Sequence, residues 1–224
     1  MSETPLAPQD LGRLHLEPQY ATARQQAETA AFGMWVFLAT EVLFFGGMLF
    51  GYTYLRATFP EGFAEAARET HVIIGTINTV VLLTSSFTMA WAVHAAERDR
   101  RRATALLLAA TALLGLLFLG LKGLEYYKEW EEGVVPGLNF HKDGPNAHVA
   151  AMFYYLYFML TGVHGLHVTI GIGLVALMAV RAWRGGFSAR YYTPVEVTGL
   201  YWHFVDLVWI FLYPLIYLAG RSGP

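Results

Sequence analysis

The sequence places an ionisable side chain, Glu41, inside a long apolar segment. Glu41 lies near the middle of the run MWVFLATEVLFFGG. An ionisable group at the centre of a membrane helix costs at least about 2.5–3.5 kcal/mol on insertion scales, so it commonly has a function or a buried partner. Glu41 could be a proton-linked or lipid-linked carboxyl. It could equally be a buried carboxylic acid that forms a hydrogen bond to a neighbouring helix, and the residues alone leave both interpretations open.

A second group of polar residues occurs in the two last apolar segments. His164 and His167 form an HGLH element, and His203 is followed by Asp206 at the same spacing. The i, i+3 spacing puts both members of each pair on one helix face. A polar stripe in the last segment is predicted to face other helices rather than lipid. Its members are Glu196, Gly199, His203, Asp206 and Ile210.

These histidines and carboxylates could in principle hold a metal or haem. Imidazole and carboxylate are ligands of zinc and iron, and imidazole is an axial ligand of haem. The sequence, however, contains no HExxH element and no Glu-x-x-His pair, which are common in metal sites on helices. We therefore favour hydrogen bonds between helices over a metal site, and expect no cofactor in this chain.

Basic residues near the ends of two segments suggest ion pairing and headgroup contact. Lys122 and Glu125 are spaced i, i+3, which predicts a local ion pair that extends towards the membrane interface. Arg181 and Arg184 flank Trp183 at the end of another segment. They could bind phospholipid phosphate or act only as topological anchors.

Five apolar segments are long enough to cross a membrane and would carry these side chains. Hydrophobic residues make up 55% of the 224-residue chain and charged residues only 14%. A span of roughly 30 Å of hydrocarbon needs about 20 apolar residues. The composition therefore predicts an all-α, polytopic membrane helix bundle with five transmembrane helices. We place them at Phe32–Tyr54, His71–His94, Ala103–Leu124, Val149–Val180 and Val195–Ala219.

The distribution of Lys and Arg predicts the orientation of this bundle. Residues 1–31 are expected to form an N-terminal tail, with a short interfacial helix near Tyr20–Glu28, and residues 220–224 a C-terminal tail. Nine Lys and Arg residues fall on the side of the N-terminus and five on the other. Positive residues accumulate in cytoplasmic loops. We therefore expect a cytoplasmic N-terminus and a periplasmic C-terminus in a bacterial inner membrane.

Composition also excludes several classes of function. The chain has no cysteine, so it has no disulfide, thiolate metal site or iron–sulfur cluster. Its formal net charge of −2 makes nucleic acid an unsuitable partner. An independent membrane transporter or metalloenzyme that uses Glu41 and the histidines remains open at this point.

Five sequence blocks resemble the cytochrome c oxidase subunit III family. They are GMWVFLATEVLFFGGMLFGY, INTVVLLTSSFTMAWAVHAA, GLEYYKEW, TGVHGLHVTIGIG and YWHFVDLVWIFLYPLIY, in family order over about residues 31–219. The mitochondrial-type subunit has seven helices, and this chain lacks the first two. In this respect the chain is similar to the five-helix versions of the subunit in bacterial quinol oxidases and in some bacterial cytochrome c oxidases.

The resemblance implies a non-catalytic subunit of a haem-copper terminal oxidase in aerobic respiration. Haem and copper are then expected in partner subunits, mainly subunit I with subunit II, and not in this chain. The resemblance also implies stabilisation of subunit I, phospholipid binding and support of proton uptake, with Glu41, Arg181 and Arg184 at matching family positions. Alternatives are the same subunit in a quinol oxidase and the related protein that accompanies nitric oxide reductases.

Overall fold

The computed structural model describes residues 17–142, 144–189, 191–218 and 220–221. Within these residues, the protein is a bundle of long helices. They are α1 (Ala23–Thr58), α2 (Pro60–Glu69), α3 (Val72–Glu97), α4 (Arg101–Glu131), α5 (Ala147–Trp183) and α6 (Thr193–Tyr213), and a π-helical turn, Pro214–Leu218, continues α6. A two-stranded hairpin, β1 (Val134–Val135) and β2 (Asn139–Phe140), lies between α4 and α5.

Five of these helices are long and apolar enough to cross a membrane, as the sequence predicts. They are α1, α3, α4, α5 and α6 with its π-helical turn. The short α2 is amphipathic and buries Phe63 and Ala67 against the end of the bundle. The predicted spans left residues 55–70 as a connection, so α2 was not predicted, although Pro60 at its first position is well suited to the first turn of a helix.

The first helix extends beyond the predicted span. It begins at Ala23 because the Thr22 hydroxyl accepts a hydrogen bond from the Gln25 amide at 3.1 Å, which caps the helix N-terminus. The predicted interfacial helix near Tyr20–Glu28 is therefore wrong as a separate element, since its helical part is continuous with the span. The earlier part of the predicted tail, residues 1–16, lies outside the described residues.

The core forms around α6. In its apolar segment 56% of the residues are buried, against 11% in α1, which is therefore peripheral. Trp202 of α6 lies between α4 and α5, where only glycines leave room for its ring. A Cβ atom on Gly115 of α4 would lie 2.7 Å from the Trp202 ring, and one on Gly171 of α5 would lie 3.0 Å from it. Small residues thus allow close helix approach, as is common in membrane bundles.

Candidate functional site

Glu41 forms a hydrogen-bonded pair with His167. The Glu41 carboxylate on α1 lies 3.1 Å from Nε2 of His167 on α5, and Nδ1 of His167 lies 2.8 Å from the Val163 carbonyl oxygen. The Phe45 ring packs against the imidazole in an edge-to-face contact, with the two ring centroids 5.1 Å apart. Both polar side chains retain some exposure, 16% for Glu41 and 13% for His167. The pair therefore joins the peripheral α1 to α5 and lies at the surface of the bundle.

His164 has a different environment from His167, although the two are separated by less than one helical turn. The imidazole of His164 has no exposed surface and packs between Phe118 of α4 and Trp209 of α6. Neither of its ring nitrogens has a hydrogen-bond partner among the described residues. The expected hydrogen bond to another helix is present for His167 and, through Ser86, for His203, whereas His164 forms none with the described residues.

The predicted stripe on α6 is only partly buried. Asp206 and Gly199 are buried, and His203 is half-buried with its Nδ1 2.8 Å from the Ser86 hydroxyl. Glu196 is exposed, and Ile210 keeps 43% exposure. The prediction that the whole stripe faces other helices is therefore wrong at its two ends. Glu196 lies in the first turn of α6, and the end of a helix has fewer neighbouring helices than its middle.

A ladder of hydrogen bonds joins α3 to α6 and was not predicted. The contacts run antiparallel, from Ser85–Trp202 at 3.1 Å to Thr79–Trp209 at 3.0 Å and Thr76–Tyr213 at 2.7 Å. Ser86–His203 belongs to the same ladder. The signal in the sequence was the recurrence of Ser and Thr on one segment with Trp, His and Tyr on the other. Spacing within a single helix cannot reveal such pairing across helices.

Lys122 and Glu125 are the most deeply buried ion pair among the described residues. Lys122 is 4% exposed and Glu125 has no exposed surface, and Lys122 Nζ lies 3.0 Å from Glu125 Oε2. Lys122 also donates to the hydroxyls of Tyr157 on α5 and Tyr217 in the π-helical turn. The predicted ion pair is confirmed, but its predicted extension towards the interface is wrong, because two tyrosines from distant segments enclose it inside the bundle.

The arginines of the α3–α4 turn, of the start of α4 and of the end of α5 meet at one end of the bundle. Arg101 donates to the carbonyl oxygens of Ala182 at 3.1 Å and of Trp183, and so caps the C-terminus of α5. Together with Arg102 and Trp183 it lines a surface cavity of about 240 Å³. Arg181 and Arg184, which flank Trp183 in the sequence, have exposed side chains. The capping arginine was missed, since no sequence pattern links Arg101 to a helix end 80 residues further along the chain.

The polar residues singled out in the sequence do not converge on one centre. Among the described residues, no group of three His, Asp or Glu side chains is arranged to hold a metal ion. Glu41–His167, Ser86–His203 and the Lys122–Glu125 pair occupy separate places in the bundle and use partners of their own. The arrangement is suited to joining helices.

Comparison with known proteins gives a family match along most of the chain. The family model described as cytochrome c oxidase subunit III matches residues 17–221. A protein named cytochrome c oxidase subunit 3 from Thermostichus vulcanus is 34% identical over 200 residues, covering 89% of this chain and 92% of the relative. Proteins of the same name from Salmo salar and Oncorhynchus mykiss are 32% and 34% identical and cover 84% of this chain, which spans 69% of their length.

Proposed function

Since the chain belongs to the cytochrome c oxidase subunit III family, we propose that it stabilises subunit I of its oxidase and holds phospholipid. Family membership makes it an accessory subunit of a haem-copper oxidase, a multi-pass membrane protein in a complex with other oxidase subunits. The match over residues 17–221 carries this conclusion, because it includes all five apolar helices. Respiratory electron transfer to oxygen is the activity of the complex.

The redox cofactors belong to the partner subunits in this proposal. The chain has no cysteine. His167 is hydrogen-bonded to Glu41, His203 to Ser86, and His164 is enclosed by Phe118 and Trp209. A metal site needs several ligands directed at one point, and among the described residues no group of three His, Asp or Glu side chains is placed in this way. The packing of these three side chains supports a chain without haem or copper of its own.

The proposed orientation puts the N-terminus in the cytoplasm and the C-terminus in the periplasm. Arg101 reaches the carbonyls of Ala182 and Trp183, so the α3–α4 turn and the end of α5 are at the same end of the bundle. This end carries a cluster of arginines, as expected for a cytoplasmic face. Its members are Arg98, Arg100, Arg101, Arg102, Arg181 and Arg184.

The same basic end is the proposed phospholipid site. Arg181 and Arg184 have exposed side chains, and Trp183 is 61% exposed beside them. An anionic phosphate accepts two hydrogen bonds from one guanidinium, and tryptophan is favoured at the level of the headgroups. This combination of exposed arginines and an interfacial indole supports contact with a lipid phosphate.

Glu41 is proposed to act in assembly, lipid contact or sustained proton uptake, and not as an obligatory proton carrier. Its carboxylate is already bonded to His167, which links α1 to the rest of the bundle. Apart from this bond, α1 is attached through its buried side chains Leu38, Phe45 and Tyr52, and the Tyr52 hydroxyl donates a hydrogen bond to the Leu215 carbonyl oxygen at 2.7 Å. Loss of the Glu41–His167 hydrogen bond should therefore weaken the attachment of α1 to the bundle before it affects redox chemistry elsewhere in the complex.

The relatives support cytochrome c as the electron donor of the complex, since they are named cytochrome c oxidase subunit 3. Purification in mild detergent, with an optical spectrum and identification of the chains that co-purify, tests the whole proposal. We expect subunits I and II with haem and copper in them, and no metal in this chain once it is separated. Isolation of this chain alone, from membranes in which the oxidase stays intact, would refute the subunit role.

A further inference from the structure

Lys122 and the three side chains around it satisfy one another's hydrogen-bonding groups. Lys122 Nζ donates to Glu125 Oε2 at 3.0 Å, to the Tyr157 hydroxyl at 2.8 Å and to the Tyr217 hydroxyl at 2.6 Å. The two hydroxyls donate in turn to Glu125 Oε1, at 3.0 and 2.7 Å. An ammonium group has three donors, so Lys122 has none left. The charge of Lys122 is balanced by Glu125.

Glu129 lies one helical turn further along α4 and is left out of this network. Its side chain is 2% exposed, and neither carboxyl oxygen makes a hydrogen bond of normal geometry to a described residue. The Tyr157 hydroxyl is close enough to interact with Glu129, but it lies 3.0 Å from Glu125, to which it donates its hydrogen. Glu129 is thus a buried carboxyl whose nearest cation is already paired.

Two further carboxylates act on Glu129 with the same sign of charge. Glu125 of α4 and Glu132 at the end of α4 both repel a negative charge on it, and Lys122 alone attracts one. From α5, Tyr154 and Tyr157 face Glu129, and both are almost completely buried. Burial of an ionised carboxylate is unfavourable unless it is paired and hydrogen-bonded, and such groups usually become neutral.

We propose that Glu129 is a proton-binding site, which carries a proton in the assembled protein and exchanges it with solvent through the surface cavity beside Lys142. The exchange moves one proton from the carboxyl O–H to a water molecule in the cavity and back, and it involves no electron transfer. This site lies outside the cofactor-bearing subunits. It is independent of the Glu41–His167 pair.

In the proposed route, water that enters from the cavity beside Lys142 reaches Glu129 past Tyr154. Tyr154 is 1% exposed and is electrostatically coupled to Glu129. Lys142 Nζ lies 5.3 Å from the centre of the Tyr154 ring and pairs with Glu69. Lys142 and Glu69, with Glu65, line a cavity of about 310 Å³ that opens at the surface. Burial lowers the pKa of Lys142, opposed by the charge of Glu65, so its ammonium releases a proton more readily than an exposed lysine.

Infrared spectroscopy of the purified oxidase complex tests the proton on Glu129. A protonated carboxyl has a C=O stretching band that a carboxylate lacks, and the band shifts in D₂O. We expect the spectrum of the wild type minus that of Glu129→Gln to contain one such band. Glu131→Gln, an exposed glutamate of the same helix, is the control and should remove none. Carboxylate bands in this difference, from an ionised Glu129 with or without a bound metal cation, would overturn the proposal.

A second variant keeps the test decisive if Glu129→Gln does not assemble. Glu129→Asp retains the carboxyl and should shift the protonated C=O band rather than delete it. An unchanged band in Glu129→Asp would mean that the band belongs to another residue, and would overturn the assignment. Both measurements are independent of turnover, so they can fail while the oxidase role stands.

The rate of the band shift in D₂O tests the exchange route. Lys142→Met should slow the shift severalfold and leave the band itself in place, whereas Lys128→Met, at an exposed position of α4, should not change the rate. A band that does not shift in D₂O at all would refute exchange with solvent. Equal rates in Lys142→Met and in the wild type would refute the route past Lys142.

Discussion

Glu125→Gln is the substitution that tests the buried network most directly. Glutamine keeps the shape of the side chain but removes the negative charge that balances Lys122. Lys122 is 4% exposed and Glu125 has no exposed surface, so solvent cannot replace the lost partner. The glutamine also offers one oxygen in place of two, whereas Glu125 accepts three hydrogen bonds through both of its oxygens.

The expected cost follows from the burial of the pair. Breaking a buried ion pair by removing one partner typically costs about 3–5 kcal/mol, because an uncompensated charge is left behind. An exposed pair would give only about 0–1 kcal/mol. The larger value corresponds to a change of about a hundredfold or more in the ratio of folded to unfolded protein, at 1.4 kcal/mol for each tenfold.

Equilibrium unfolding of the chain in mixed micelles can measure this difference. Tryptophan fluorescence is a suitable signal, since the chain has six tryptophans and the ring centre of one of them, Trp209, lies 5.6 Å from Lys122 Nζ. Lys128→Met and Glu131→Gln, at exposed positions of the same helix, are matched controls and should change the free energy of unfolding by no more than about 0.5 kcal/mol.

A double variant, Lys122→Met with Glu125→Gln, makes the test sharper. Replacing both charges of a buried pair is often nearly neutral, since no uncompensated charge remains. We expect the double variant to be more stable than Glu125→Gln alone. A single-variant cost below about 1 kcal/mol, with additive effects in the double variant, would fit a solvated ion pair and would refute the buried network.

Three further predictions concern other parts of the chain. Glu41→Gln should leave initial oxidase turnover within about twofold of the wild type, a change of roughly 0.4 kcal/mol in the barrier, while activity over many turnovers declines sooner than in the wild type. Near-complete loss of initial turnover in a fully assembled complex would instead put Glu41 in the proton path. Arg181→Gln combined with Arg184→Gln should reduce the bound anionic phospholipid measured by mass spectrometry, and unchanged lipid content would leave topological anchoring as their role. Gly115→Ala should destabilise the bundle by about 1–3 kcal/mol in the same unfolding assay, because the added Cβ overpacks against Trp202. Gly120→Ala, where a Cβ meets nothing within 4 Å, is the control and should be neutral. Equal effects of the two substitutions would contradict the packing of Trp202.

The five membrane spans could be predicted from the sequence, because they depend on local composition. A run of apolar residues long enough to cross the bilayer must become a helix, since no other structure of a single segment satisfies its backbone groups in lipid. The family could also be recognised, since the blocks around Glu41, HGLH and WHFVD occur in order. Helix ends were less certain, as Ala23 and the short α2 show.

The partners of the polar side chains depended on tertiary structure. The i, i+3 spacing predicted one environment for His164 and His167. The His164 imidazole, however, is enclosed by aromatic rings, whereas that of His167 is hydrogen-bonded to Glu41. Local spacing likewise predicted that Lys122 and Glu125 reach the interface. Tyr157 and Tyr217, which are 35 and 95 residues away from Lys122 in sequence, bury them instead. Local sequence determines which residues share a helix, but only the packing of several helices determines which of its faces is buried and what each side chain meets there.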